Sequence, residues 1–230
     1  MGAAFNGSTD GLSAAATGSP LSSSAGPFTI ALWFKPANLT QTNKYLWVEI
    51  KSSQAALLWE YASDSVEFYT NGYSGTDPRT DSGIVIPDTG WHHVAYRKAA
   101  SGASAWDKFL DGSKTSINAS ITFTLAATDT TQYWARTAGG TACACSLAEF
   151  AIWGAALTDA AIAQLAVDAK PSEYPTPWQY VPLFNSSTAV NGNAVSEVGT
   201  PTFDAADHPV SYPVRFPWQN RRHRSIVGVR

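Results

Sequence analysis

Charge is scarce in this sequence: Asp, Glu, Lys and Arg make up 14% of 230 residues, against a globular norm of roughly 25%. With a net charge of −3, the chain lacks the field of a polyanion-binding body, which argues against nucleic acid as a partner. Cysteine is scarcer still. Cys143 and Cys145 are the two present, and the one residue between them would leave any bridge a small, strained ring, so no disulfide framework is expected. Zinc would need more ligands, and no His or further Cys lies close by in sequence. No stretch reaches the roughly 18 apolar residues of a membrane span. The opening Met1-Gly-Ala-Ala-Phe-Asn-Gly-Ser8 shows neither a basic nor an apolar leader region. No secretory signal is therefore expected in this opening. Catalytic signatures are missing too: no Gly-x-Ser-x-Gly elbow, phosphate loop, dinucleotide fingerprint or zinc-protease helix occurs.

Aromatic surface, by contrast, is abundant. Nine Trp, nine Tyr and ten Phe offer large buried area with few rotamers to freeze. A chain of this length can enclose a single sandwich-sized core. Short strand-like runs alternate with clusters of Gly, Pro, Asn, Asp and Ser, the pattern of an all-β protein. The runs fall at 28–35, 45–51, 55–61, 66–69, 91–98, 106–110, 117–119, 132–135 and 147–153. In the first, Phe28, Ile30, Leu32 and Phe34 share one face and Trp33 takes the other. Likewise Trp91, His93 and Ala95 oppose His92, Val94 and Tyr96. Asp111-Gly112 reads as a tight hairpin turn. Between Leu147 and Leu165 the apolar period changes from that of a strand to that of a helix. Thr158 is placed to cap this helix, Asp159 favours its dipole, and Leu157, Ile162 and Leu165 form its apolar stripe. Cys143 and Cys145 read as two small side chains where a loop meets a strand.

Four segments carry a resemblance. Phe28-Thr-Ile-Ala-Leu-Trp-Phe34, Gly90-Trp-His-His-Val-Ala95, Phe109-Leu-Asp-Gly112 and the stretch from Leu147 to Leu165 together resemble the laminin-G-like, concanavalin A-like jelly-roll family, in family order. Ala160-Ala161 departs from it, since the family usually has a Glu there. The resemblance implies an all-β, two-sheet antiparallel jelly-roll sandwich with one short helix and an extended C-terminal arm. Residues 1–169 would form the body, and residues 170–230 a Pro-rich arm and tail packing on the sandwich or on a partner. His93 would be structural, hydrogen-bonded near the sandwich rim. Calcium is the implied cofactor, with Asp77, Asp81 and Asp88 of the Gly-rich stretch 71–89 as its ligands and ordinary turn aspartates as the plainer reading. A glycan would use an aromatic platform beside a polar side chain, for which Tyr69, Asn71 and Tyr73, expected in one loop, are best placed. Hydrolysis would need two carboxylates about 5–10 Å apart. The nearest spacing, Glu60-Tyr-Ala-Ser-Asp64-Ser-Val-Glu67, puts Glu67 on the strand face opposite Glu60 and Asp64, so no enzyme is expected.

Beyond about residue 169 the character of the chain changes. Pro171, Pro175, Pro177 and Pro182 predict an extended arm, held down by Tyr174, Trp178, Tyr180 and Phe184. Residues 186–199 read as a polar loop. At the end, Arg215, Arg221, Arg222, Arg224 and Arg230 are five of the 15 Lys and Arg residues. One reading is a solvated tail. The other is a docking arm in which Arg215, Phe216, Trp218, Arg221, Arg222 and Arg224 grip a partner. The Pro-rich tail resembles those of phage- and virus-borne members of the family. The leading expectation is therefore a non-catalytic virion structural protein, a phage head decoration or tail-associated subunit. Its body would face outward and its arm would dock on capsid or tail subunits within a homo-oligomer. The alternatives are an extracellular glycan-binding lectin module, with or without calcium, and a jelly-roll glycoside hydrolase.

Overall fold

The computed structural model describes residues 2–22, 26–42, 44–51, 54–61, 65–72, 83–99, 106–117, 131–136, 142–183, 186–203 and 209–210. Its first strands are β1 (Ala3–Asn6), β2 (Gly11–Ala15), β3 (Phe28–Pro36), β4 (Lys44–Lys51), β5 (Gln54–Tyr61) and β6 (Ser65–Gly72). Next come β7 (Ile84–Val85), β8 (His92–Lys98), β9 (Trp106–Leu110), β10 (Ser113–Ile117), β11 (Thr131–Trp134) and β12 (Ala144–Trp153). A helix, α1 (Asp159–Leu165), precedes β13 (Gln179–Val181), β14 (Val195–Val198) and β15 (Thr202–Phe203). Among the described residues, no helix is long and apolar enough to cross a membrane.

The strands pair antiparallel into two sheets. The first runs β10-β9-β8-β3-β12-β1-β15, with β13 also paired to β12; the second runs β14-β2-β11-β4-β5-β6-β7. They stack as the expected jelly-roll sandwich. Alternation in β3 sends Phe28, Ile30, Leu32 and Phe34 into the core between the sheets, with Val94 and Tyr96 beside them from β8. Large rings bridge the layers. Phe150 of the first sheet meets Trp47 at 5.7 Å and Trp134 at 5.2 Å between centroids. Tyr96 stacks on Phe68 at 5.5 Å, and its hydroxyl donates to the Val66 carbonyl at 2.7 Å. Such contacts bury apolar area and satisfy the one polar atom that the tyrosine carries inside.

The first sheet is covered on its outer face as well. There α1 lies over Ala31, Ala95, Phe109, Ala151 and Trp153, burying its own Ile162 and Leu165. Thr158 caps the helix by accepting the Ala161 amide at 3.1 Å, as the sequence predicts. Arg97 pins it from below: buried on that face, it bonds Asp107, donates to the Leu157 carbonyl at 2.6 Å and pairs with Asp159 at 2.6 Å. Farther along the same face, Val210 packs on Trp33 and Ala148. A bulge in β12 at Ala148–Ala151 gives Glu149 a φ of 52° and brings its carboxylate under the Tyr180 hydroxyl, at 2.6 Å.

Several elements differ from the sequence reading. Strands β1, β2, β7 and β14 were not expected, and β14 lies within the stretch read as a polar loop. Their residues are mostly small or polar, so pairing in the sheet rather than intrinsic preference makes them strands. β13 likewise forms inside the Pro-rich segment by pairing with β12. Of the run expected at 117–119, Ile117 belongs to β10 and the other two residues lie outside the described residues. Cys143 and Cys145 are free thiols, both buried in the core.

Candidate functional site

The two outer faces of the sandwich are unlike one another. The first sheet's outer face is covered as described. On the second sheet Leu12, Ala14, Trp47 and Trp134 point into the core, so the alternate positions Ser13, Ala15, Val48, Thr131 and Tyr133 lie on the outer face. Register carries one row across six strands: Ser196, Ser13, Tyr133, Val48, Leu57 and Tyr69. The neighbouring row holds Ala15, Thr131, Ile50, Ala55 and Asn71. Ser13, Thr131 and Tyr133 are half-buried, Ala15 and Ser196 are exposed, and Val48 is buried. Three strand spacings separate the backbones of Tyr133 and Tyr69, roughly 14 Å. The face thus offers an aromatic ring amid hydroxyl-bearing neighbours.

Tyr69 and Asn71 lie in strand β6, not in the loop that the sequence suggested. The Asn71-Gly72 turn signal is overridden because both residues pair with β5, Asn71 with Ala55 and Gly72 with Gln54. As alternate residues they share the outer face. Tyr73, Asp77 and Asp81 lie outside the described residues, as do Arg215, Phe216, Trp218, Arg221, Arg222 and Arg224. Among the carboxylates considered for hydrolysis, Glu60 is registered with Val66 and Glu67 with Trp59. Val66 faces the core, so Glu60 and Glu67 occupy opposite faces, as expected; Asp64 is outside the described residues.

Asp88 sits in an exposed turn. Its Oδ1 accepts the Gly90 amide at 2.6 Å and lies 3.1 Å from His92 Nε2. The Gly90 bond foremost, then His92, holds this carboxyl below the ordinary range. His92 Nδ1 is 2.9 Å from Asp111 Oδ2, and Asp111 Oδ1 accepts the His93 amide at 2.8 Å. The imidazole of His92 therefore ties the turn at Asp88 to the Asp111-Gly112 hairpin. The side-chain hydrogen bonds expected of His93 belong to His92 instead. His93 is buried with its ring edge-on to Trp33 at 5.5 Å, its Nδ1 makes no hydrogen bond among the described residues, and burial pushes its pKa down to about 4. Among the described residues no group of three His, Cys, Asp or Glu side chains is arranged to hold a metal ion.

A polar cluster inside the sandwich escaped the sequence reading. Glu49, Gln132, Trp47 and Trp134 are each 0% exposed on the inner face of the second sheet. Glu49 and Gln132 are direct register partners. Trp47 Nε1 donates to Gln132 Oε1 at 3.2 Å, and Ser19 Oγ donates to Glu49 Oε2 at 2.9 Å. Among the described residues Glu49 Oε1, Gln132 Nε2 and Trp134 Nε1 have no hydrogen-bond partner. Burial pushes the Glu49 carboxyl up to about 8, and the serine bond offsets part of the effect. One signal was available: Glu49 continues the core-facing alternation of Trp47, so a buried acid was readable in Trp47-Val-Glu49. Elsewhere, an apolar groove of about 410 Å³ runs beside α1, lined by Ala160, Ala161, Gln164, Tyr174 and Pro175 among others. It has few polar groups with which to orient a sugar.

Residues 6–163 match the family model of the concanavalin A-like lectin/glucanases superfamily. No curated protein matches the sequence. Among solved structures, the chain is similar to a Bacteroides ovatus protein provisionally assigned carbohydrate binding, with a TM-score of 0.61 and 14% identity. That likeness covers 90% of this chain and 62% of the Bacteroides protein, so the chain spans less than two thirds of that relative. A heptameric SAP-like pentraxin from Limulus polyphemus is similar with a TM-score of 0.55 and 12% identity, over 88% of this chain and 95% of the pentraxin. At these identities the likeness is one of fold.

Proposed function

This chain belongs to the concanavalin A-like lectin/glucanases superfamily, and we propose that it is a non-catalytic binding module whose ligand is a carbohydrate. The observation that carries this reading is the asymmetry of the sandwich. Helix α1 and Val210 cover one outer face, while the other presents Tyr133 beside Ser13, Thr131 and Ser196, with Tyr69 and Asn71 registered on the same face. A tyrosine ring gives the apolar face of a sugar something to lie on, and flanking hydroxyls bond its rim. The lectin side of the superfamily is favoured over the glucanase side because Glu60 and Glu67 fall on opposite faces, which cannot place two carboxylates across one glycosidic bond.

The test is a glycan array followed by titration calorimetry on the best ligand. Tyr133→Ala is expected to weaken binding about tenfold, the equivalent of about 1.4 kcal/mol, with little change in melting temperature because the ring is half-buried. Unchanged affinity would remove the second sheet's outer face from consideration. Assembly into a virion is the second reading. It is favoured by the five arginines gathered in 215–230 on a body otherwise poor in charge.

A further inference from the structure

Residues 16–22 connect β2 to β3 across one end of the sandwich, and Ser19 turns inward from that connection. Its amide donates to the Ala16 carbonyl at 3.2 Å, its hydroxyl accepts the Leu21 amide at 3.2 Å, and the same hydroxyl donates to Glu49 at 2.9 Å. Ser19 is 2% exposed, and Leu21 is wholly buried within the core. One hydroxyl group therefore couples the shape of this connection to a carboxyl on the inner face of the second sheet.

Few neighbours of that carboxyl carry charge. The connection, Ala16-Thr-Gly-Ser-Pro-Leu-Ser22, has no ionisable side chain. From β11 Gln132 opposes Glu49, and from β5 its register partner is Ala56. Along β4, Trp47 lies on one side and Lys51 two positions beyond on the other. From the facing sheet, Phe150 packs on Trp47. The upward displacement of the Glu49 pKa arises from burial, reduced by the serine bond, with no part from a neighbouring charge among the described residues.

We propose that Ser19 and Glu49 form a latch released by alkali: the protonated carboxyl fastens the 16–22 connection over the end of the sandwich, and its ionisation lets that connection lift. A neutral acid is tolerated here with one serine and an adjacent amide as company. An anion is not, because among the described residues only Ser19 donates to it, and a buried charge with one donor has to be reached by water. Ser19 and Leu21 themselves stand in the way, so ionisation and lifting become one equilibrium. Release of a single proton lets the lifted population rise up to about tenfold for each pH unit between the ordinary 4.5 and the folded-state value of about 8, above which it levels off.

Hydrogen exchange of peptides spanning residues 12–27, followed from pH 6 to 10 and corrected for the intrinsic rate, tests the latch. The wild type should lose protection by up to about tenfold per unit as pH rises toward about 8 and level off above it. Glu49→Gln, which has no proton to release, should stay protected throughout. Identical pH profiles in the two proteins would overturn the proposal. Should Glu49→Gln fail to fold, carbon NMR of the Glu49 carboxyl in the wild type decides. Titration near the ordinary 4.5 refutes the latch; titration in step with the loss of protection supports it.

Discussion

Two ionisable side chains, His93 on the first sheet and Glu49 on the second, are held neutral by burial, and they tilt stability in opposite directions. The folded-state pKa of His93 is about 4, against an ordinary 6.5. Below pH 6.5 the unfolded chain takes up a proton that the folded one refuses, so the stability contributed by the neutral ring is intact above 6.5 and drains away as pH falls toward 4. The difference amounts to about 3 kcal/mol. Glu49 has the opposite sense: its contribution is intact below 4.5 and is lost as pH rises toward 8. Between 4.5 and 6.5 the two slopes cancel, giving a plateau there from this pair. His93→Phe keeps an aromatic ring against Trp33 and removes the proton. Melting temperatures measured from pH 4 to 9 should show the variant gaining on the wild type as pH falls below 6.5. Parallel curves through that range would mean that His93 is not the acid-side determinant.

At the scale of elements, the β9–β10 hairpin and helix α1 depend on each other. Asp111 and Gly112 adopt φ values of 48° and 78°, the left-handed pair that a two-residue hairpin requires. A Cβ on Gly112 would also lie 3.0 Å from Ala163 Cα of α1, so the turn touches the helix where only a hydrogen fits. Gly112→Ala is expected to lower stability by about 1–2 kcal/mol from backbone strain alone, read by urea unfolding; a loss below a few tenths would show that helix and turn part freely. This hairpin was legible in the sequence, as were the cap at Thr158 and the alternation of β3, because each is set by neighbours in the chain. β1, β2, β13 and β14 were not legible, since what makes Ala3-Ala-Phe-Asn6 a strand is its pairing with residues 144–147. The same limit misplaced Tyr69 and Asn71, whose strand is fixed by β5. Of the candidate site, Tyr69 and Asn71 were readable from the chain but Tyr133 was not, because its place on the outer face follows only from register with β2 and β4.

At the scale of the molecule, a sandwich that carries α1 and Val210 on one outer face and presents half-buried Ser13, Thr131 and Tyr133 on the other is suited to being held from one side. If residues 215–230 do the holding, light scattering should find a defined oligomer or particle association that disappears when they are removed, while the truncated body keeps its melting temperature. A monomer in both forms would leave the carbohydrate reading as the one to pursue. The topology also sets a timetable. β1 lies between β12 and β15, and β2 between β11 and β14. Each of these early strands is flanked only by partners that the ribosome makes much later, the last being Thr202–Phe203. The described pairing of neither sheet is complete until β14 and β15 have been synthesised, so the aromatic residues that precede them emerge from the ribosome before their sheets are finished. Distant pairing of this kind makes for slow folding, and in that interval the scarcity of charge noted at the outset leaves little to keep neighbouring nascent chains apart.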